Sequence, residues 1–181
     1  MYTYSELKEA LENAEKGMAV RLMQEVLNQP DIMIPLVKLA VSDEKPSSWR
    51  AAWALNHITK KNKDLVKPFI PDILAGFPGV SHENQKGSLI RILSYIEPLH
   101  EDYGAIVDEC LNILSKPTKR PFVKSYSMDF LKNISDAEPE LKREIALAIE
   151  EFIPFFETSY LARKGKGIVQ ELRKDMKEID Y

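Results

Sequence analysis

The sequence lacks the features that mark several classes of protein. It contains one cysteine, Cys110, so it cannot form an internal disulfide, which favours a reducing compartment. No apolar run approaches the roughly 20 residues of a membrane-spanning helix. The first residues also lack the apolar core of a signal peptide. We therefore expect a cytoplasmic protein with no membrane segment.

An excess of basic charge is also missing. The chain has 25 Lys and Arg against 28 Asp and Glu, a formal net charge of −3. A balance of this sign gives no general attraction for nucleic acid or anionic lipid. The 181 residues suffice for one substantial core, and no shift in composition separates two unrelated parts. We predict a single domain over residues 1–181.

No catalytic constellation can be recognised. His57, His82 and His100 fall in different segments, and no HExxH, CxxC or GxSxG motif occurs. The run that begins at His100 has residue types found in metal sites, but neighbours on a turn point apart, which favours a solvated turn. Cys110 lies among apolar residues at helical spacing, as a small buried hydrophobe would. We expect no enzymatic activity, no cofactor and no metal.

What the sequence does contain is a repeat of 38 residues. The residues that keep this step include Ile58, Ile96, Ile134 and Leu172, and also Leu55, Leu93, Leu131 and Val169. Self-similarity at a period of this size is typical of a chain that stacks one supersecondary unit. Repeat proteins usually act through an extended surface and not through a reaction centre.

Each repeat is predicted to be a pair of helices. In the second helices the apolar residues follow the i, i+3, i+4, i+7 spacing of a helix packed on one side, as Ala51, Ala54, Leu55 and Ile58 do. No segment alternates apolar and polar residues over strand length, so we predict an all-α fold. The pairs are placed at about residues 4–28, 31–61, 65–97, 102–134 and 138–178. The first pair loses the register of the repeat and is interpreted as an N-terminal cap.

Proline positions support this division, because proline is tolerated in the first turn of a helix and resisted inside one. Pro46, Pro68, Pro121 and Pro139 are predicted to open helices. Pro154 falls inside the predicted helix 144–157 and is expected to kink or end it. The runs 77–79 and 115–117, each with a proline, are predicted to end the first helices of their pairs.

The segment 34–58 resembles a HEAT repeat. It has a proline-led first helix, an acidic turn at Asp43, and a second helix in which small residues precede Leu55 and a final Ile58. Val123-Lys124 stands where the family has a Val-Arg pair at the opening of the second helix. The resemblance covers roughly residues 32–172. It implies an α-solenoid, a right-handed α–α superhelix of about five helical hairpins, with armadillo-type packing as the alternative.

HEAT solenoids line their concave face with the second helices, and the resemblance therefore implies a ladder of surface residues. Trp, Tyr and Arg are the residues enriched at binding hot spots. The partner-binding residues predicted on this basis are Arg50, Trp53, His57, Arg91, Tyr95, Tyr126 and Asp129. The competing interpretation is that Trp53 and Tyr95 only fill gaps between repeats.

Two functional hypotheses follow. The first is a non-catalytic scaffold that binds a protein partner through its concave face. The alternative is a nucleic-acid-binding protein similar to the HEAT-like DNA alkylation-repair glycosylases, which cradle duplex DNA in a basic concavity lined with aromatic and acidic residues. Trp53, Arg91 and Asp129 supply such types, but the net charge has the wrong sign. The region from Lys116 to Lys132, with five basic residues against one acid, is where phosphate contact fits best. The oligomeric state is left open.

Overall fold

The computed structural model describes residues 2–13, 17–96 and 103–179. Within these residues all regular structure is helical. The α-helices are α1 (Tyr4–Glu12), α2 (Met18–Asn28), α3 (Met33–Ala40), α4 (Ser47–Lys61), α5 (Ile70–Gly76), α6 (Glu83–Tyr95), α7 (Gly104–Ser115), α8 (Pro121–Ala137), α9 (Lys142–Phe152) and α10 (Ser159–Ile179). They fall into the five predicted pairs, so the prediction of an all-α fold is confirmed.

The helix boundaries fall at or near the prolines, although Pro68 and Pro139 lie in 3₁₀ turns ahead of α5 and α9 and not in the α-helices themselves. Helix α4 begins directly after Pro46, and α8 begins at Pro121. Helix α5 ends at Gly76, where a 3₁₀ turn over Phe77–Gly79 takes over. Helix α9 ends at Phe152, just before the 3₁₀ turn that contains Pro154. Each stop is expected, because a proline removes the backbone N–H that the next helical hydrogen bond would need.

The chain divides into two compact units, with the boundary after Ile96. In the first unit, α4 is the central helix and packs against α1, α2, α3 and α6. In the second unit, α8 packs against α7, α9 and α10, and α10 also packs against α9. The single domain expected over residues 1–181 stays a prediction.

The apolar ladder read from the sequence forms the core of both units. The buried ladder residues are Leu55, Ile58, Leu93, Ile96, Leu131, Ile134, Val169 and Leu172. The repeat also predicts an apolar side for the first helices, at positions that include Phe69, Ile73, Val107 and Leu114. Ile73 and Leu114 are buried as predicted, whereas Phe69 and Val107 are half-buried and their neighbours Ile70 and Ile106 are buried instead. For Phe69 the reason is local: it lies in a 3₁₀ turn ahead of α5, where the helical phase changes.

Hydrogen bonds join residues that are about one repeat apart. The Ser81 hydroxyl donates to the Asp43 carboxylate, 38 positions away in sequence. The Ser48 hydroxyl donates to the side-chain oxygen of Gln85, which is itself buried. Gln85 in turn donates to the backbone carbonyl of Ala40, at 2.9 Å. A buried amide between helices needs such partners, because an unpaired one costs about 1–3 kcal/mol. The first two of these bonds, over 38 and 37 positions, match the 38-residue period of the sequence.

Hydrogen bonds over a similar separation tie the N-terminal helix α1 to α4. Arg50 donates to the backbone carbonyl of Leu11, 39 positions earlier, and the Ser47 hydroxyl donates to that of Lys8, also 39 positions earlier. Because backbone carbonyls accept these bonds, they do not depend on which side chains stand at the accepting positions. They fix α1 beside α4 without restoring the register of the repeat in the N-terminal pair.

A glycine inside α10 marks a close approach. A Cβ atom at Gly165 would lie 3.1 Å from Cγ1 of Ile153 and 3.2 Å from Cε2 of Phe156. Those residues connect the two helices of this pair, in the 3₁₀ turn after α9 and just beyond it. The absence of a side chain lets α10 pack closely against this turn, which explains a residue that otherwise weakens helices.

Candidate interaction surface

One face of α4 carries aromatic and basic side chains, of which Trp53, Lys60 and Lys61 are exposed and the others half-buried. Its residues, called here the α4 face, are Trp49, Arg50, Trp53, Asn56, His57, Lys60 and Lys61. The rest of the helix is buried, with Leu55 and Ile58 in the core. No acidic residue occurs anywhere in α4. The α4 face therefore combines aromatic area with positive charge, in a chain whose net charge is −3.

Trp53 and His57 form a pair one helical turn apart on this face. Trp53 is 45% exposed, and its ring centroid lies 4.3 Å from that of His57. His57 Nδ1 lies 2.9 Å from the Trp53 backbone oxygen. Because a carbonyl oxygen only accepts, Nδ1 carries the proton and donates it. This bond holds the imidazole beside the indole. An indole that only filled a gap between repeats would be buried, and this one is not.

The corresponding pair on α6 is Arg91 and Tyr95, 38 positions later. The Arg91 Nε donates to the Tyr95 hydroxyl at 2.9 Å. The guanidinium also lies over the tyrosine ring, 4.7 Å from its centroid. Both side chains are half-buried. Helices α4 and α6 pack together, so the first unit has two stacked pairs at equivalent positions of adjacent second helices.

Arg50, also predicted to bind the partner, supports the fold in this structure. One guanidinium nitrogen donates to the backbone carbonyls of Leu11 at 2.7 Å and Glu12 at 2.6 Å. These carbonyls end α1, which has no basic residue in its own last turn. A cation there satisfies free acceptors and the negative end of the helix dipole. Trp49 lies beside Arg50, at 5.3 Å from the guanidinium to the ring, and stacks on His82.

In the second unit, Asp129 and Lys164 form an ion pair between α8 and α10. The Lys164 ammonium lies 2.6 Å from the Asp129 carboxylate. It also donates to the Ser125 hydroxyl at 2.9 Å. Both members of the pair are less than a third exposed, which favours a fixed geometry over a loosely solvated contact. Asp129 is therefore occupied by a residue of its own unit.

Tyr126 also lies on α8, and its ring is 5.7 Å from that of Phe122. The prediction from sequence missed the exposed Tyr160, whose hydroxyl lies 3.3 Å from that of Ser125. The repeat itself could have revealed Tyr160, since it stands 38 positions after the aromatic Phe122. These side chains give the second unit an aromatic patch beside the Asp129–Lys164 pair.

Cys110, which the sequence offers as a possible reactive residue, lies in the core of the structure. Cys110 is fully buried, and burial raises the pKa of its thiol above the usual range. This confirms the interpretation of Cys110 as a buried hydrophobe, because the reactive form is the thiolate. His100 and the two acids after it lie outside the described residues. Among the residues described, no three His, Cys, Asp or Glu side chains are grouped to hold a metal ion.

The helix pairs, their 38-residue period and the hydrogen bonds of matching separation define the class: the chain is an α-helical repeat protein. It belongs to the HEAT repeat family, since the family model for the HEAT repeat domain matches residues 4–172. The match begins in α1, so it includes the N-terminal pair. No curated protein and no solved structure matches the chain. Within the described ranges, no helix has the length and apolar character needed to cross a membrane.

Proposed function

We propose that the protein is a non-catalytic cytoplasmic scaffold that binds a protein partner through the exposed face of its second helices. The observation that carries this proposal is the Trp53–His57 pair on α4. A half-exposed indole held by a neighbouring ring offers large, rigid contact area at little cost in side-chain entropy. Membership of a repeat family supports the proposal, because stacked repeats present extended binding surfaces.

The hydrogen bonds that the predicted residues make within their own unit reduce the set proposed to contact the partner. The proposed set is Trp53, His57, Arg91 and Tyr95 in the first unit and Tyr126 in the second, where Asp129 is included only together with Lys164, its ion-pair partner. Arg50 is assigned to the support of α1, since its guanidinium is engaged by the carbonyls of Leu11 and Glu12. That all these residues form one continuous concave face stays a prediction.

The alternative of a nucleic-acid-binding protein has weaker support. Of the basic residues between Lys116 and Lys132, Lys124 pairs with Glu157 and Lys132 pairs with Asp136. A phosphate contact gains affinity because the protein cation displaces a counterion from the nucleic acid. A lysine that is already paired with a carboxylate would first have to give up that partner, so it is poorly suited to such a contact. The net charge of −3 also opposes the approach of a polyanion.

The proposal is tested by affinity capture from cells of the source organism, with wild-type and Trp53→Ala protein compared by quantitative mass spectrometry. Phe155→Ala is the matched control, because Phe155 is an aromatic residue 75% exposed in the second unit. A partner lost with Trp53→Ala and kept with Phe155→Ala is the expected result. With that partner purified, Trp53→Ala should weaken binding by more than about 1 kcal/mol while the melting temperature hardly moves.

Two results would count against the proposal. One is that no protein is captured in a Trp53-dependent manner. The other is tight retention on duplex DNA that falls steeply with salt, which would favour the nucleic-acid alternative.

A further inference from the structure

We propose that the α4 face receives an acidic segment of the partner, whose carboxylates meet Lys60 and Lys61 while an apolar side chain packs on Trp53. This rests on the proposed function and specifies the chemistry of the partner.

The first support is the charge of α4. Its sequence has three cations and no acid. Arg50 is engaged by the end of α1, which leaves Lys60 and Lys61 as the exposed charges of the α4 face. Neither lysine has an ion-pair partner among the described residues. Lysines near a helix C-terminus also favour the dipole, but that role leaves their ammonium groups in water and able to meet carboxylates.

The second support is that the acid following α4 most closely in sequence has a partner of its own. Asp64, in the turn after α4, pairs with Lys67 at 2.8 Å, and this hydrogen bond lowers the pKa of Asp64. No acid among the described residues therefore forms an ion pair with Lys60 or Lys61. An acidic segment from outside would be complementary to this end of α4.

The third support is the spacing along the helix. Trp53 and Lys60 are separated by seven positions, or about 11 Å at the rise of an α-helix. An extended chain covers that distance in about three residues. The segment that fits therefore has an apolar residue about three positions away from a pair of acidic residues, in either chain direction. The short length of this basic site also favours a peptide over duplex DNA, whose dense charge is matched by many cations.

The test selects binders from a displayed library of random segments of about ten residues, enough to cover the α4 face. Selection uses the wild-type chain of residues 1–181. The selected peptides are then titrated against wild type, Trp53→Ala, and the double variant Lys60→Glu/Lys61→Glu. The matched control is Lys116→Glu/Lys119→Glu, which changes net charge equally through exposed lysines of the second unit. All variants are checked for folding by circular dichroism.

We expect the selected peptides to carry an apolar residue and an acidic pair at the stated spacing. Their affinity should fall at least about tenfold for Lys60→Glu/Lys61→Glu and for Trp53→Ala, and stay unchanged for the control pair. It should also fall between ~50 mM and ~300 mM salt. Peptides without acidic enrichment, no enriched peptide at all, equal binding by both charge variants, or tighter binding of a single-stranded DNA probe would overturn the proposal.

Failure here can be told apart from failure of the proposed function. If the captured partner needs Trp53 but is retained by Lys60→Glu/Lys61→Glu, the scaffold function stands and the acidic segment is wrong. If Trp53→Ala retains every captured protein, the proposed function itself fails.

Discussion

Lys124 and Glu157 form an ion pair in which the lysine is almost completely buried. Their charged atoms are 2.9 Å apart, and the side chains are 2% and 27% exposed. Glu157 also accepts from the backbone N–H of Thr118, and the ammonium lies 5.4 Å from the ring centroid of Phe156. A buried ammonium without its carboxylate would be strongly unfavourable, so the pair ties the start of α8 to the turn before α10.

The first prediction concerns acid stability. Burial alone would raise the pKa of Glu157, but hydrogen bonds from Lys124 and the Thr118 N–H lower it overall. A carboxylate whose pKa is lowered in the folded state contributes stability that is present above its ordinary pKa and lost as the pH falls through the folded value. Urea unfolding from about pH 7 to about pH 3 should show Glu157→Gln losing less stability on acidification than wild type. The exposed Glu151→Gln is the control, and equal pH slopes for Glu157→Gln and wild type would contradict the prediction.

The second prediction concerns the core ladder. Leu93 lies on α6 and is 3% exposed. Leu93→Ala removes buried volume between helices and should cost roughly 2–5 kcal/mol in the free energy of unfolding. Ile34→Ala, at a position 62% exposed, should stay within about 0.5 kcal/mol. Similar values for the two variants in denaturant titrations would mean that the register of the ladder is wrong.

A structural feature of this protein could be predicted from the sequence when the residues that determine it are close together in the chain. Helix pairs and their ends were predicted because apolar spacing and prolines act within a few residues. The burial of Lys124 was not, because its partner Glu157 is 33 positions away and a lysine alone indicates an exposed charge.

For the candidate site, the 38-residue step predicted that Trp53 and His57 on α4 correspond to Arg91 and Tyr95 on α6, and each of these pairs lies one turn apart on its own helix. That the two pairs belong to one binding face stays a prediction. The repeat did not predict that Arg50 would be engaged by α1. The acceptors there are backbone carbonyls, which every residue has, so no side-chain pattern marks them. The division of a surface ladder into binding and supporting residues requires the structure.

The third prediction uses a glycine at the end of α5. A Cβ atom at Gly76 would lie 2.5 Å from Cβ of Val41, so Gly76→Ala forces α3 and α5 apart. Although alanine is the better helix former, overpacking of this kind typically costs about 1–3 kcal/mol. Gly79→Ala is the matched control, because a Cβ there meets no atom within 4 Å. The melting temperature should be lower for Gly76→Ala than for Gly79→Ala. Adding Val41→Gly to Gly76→Ala should restore part of the lost stability. A neutral Gly76→Ala would show that the two helices do not approach as closely as described.

The fourth prediction separates support from binding at Arg50. Arg50→Gln removes the charged donor from the carbonyls of Leu11 and Glu12, which should cost about 1–2 kcal/mol and reduce hydrogen-exchange protection in α1. Arg50→Lys keeps the charge but lacks the planar guanidinium with its several N–H donors. It should therefore be more stable than Arg50→Gln but less stable than wild type. Arg143→Gln, at an exposed position, is the control and should be near neutral. Once the variants are compared at a temperature where each is folded, partner binding by Arg50→Gln should match wild type. Full stability combined with lost binding would instead make Arg50 a contact residue, as the sequence alone predicted.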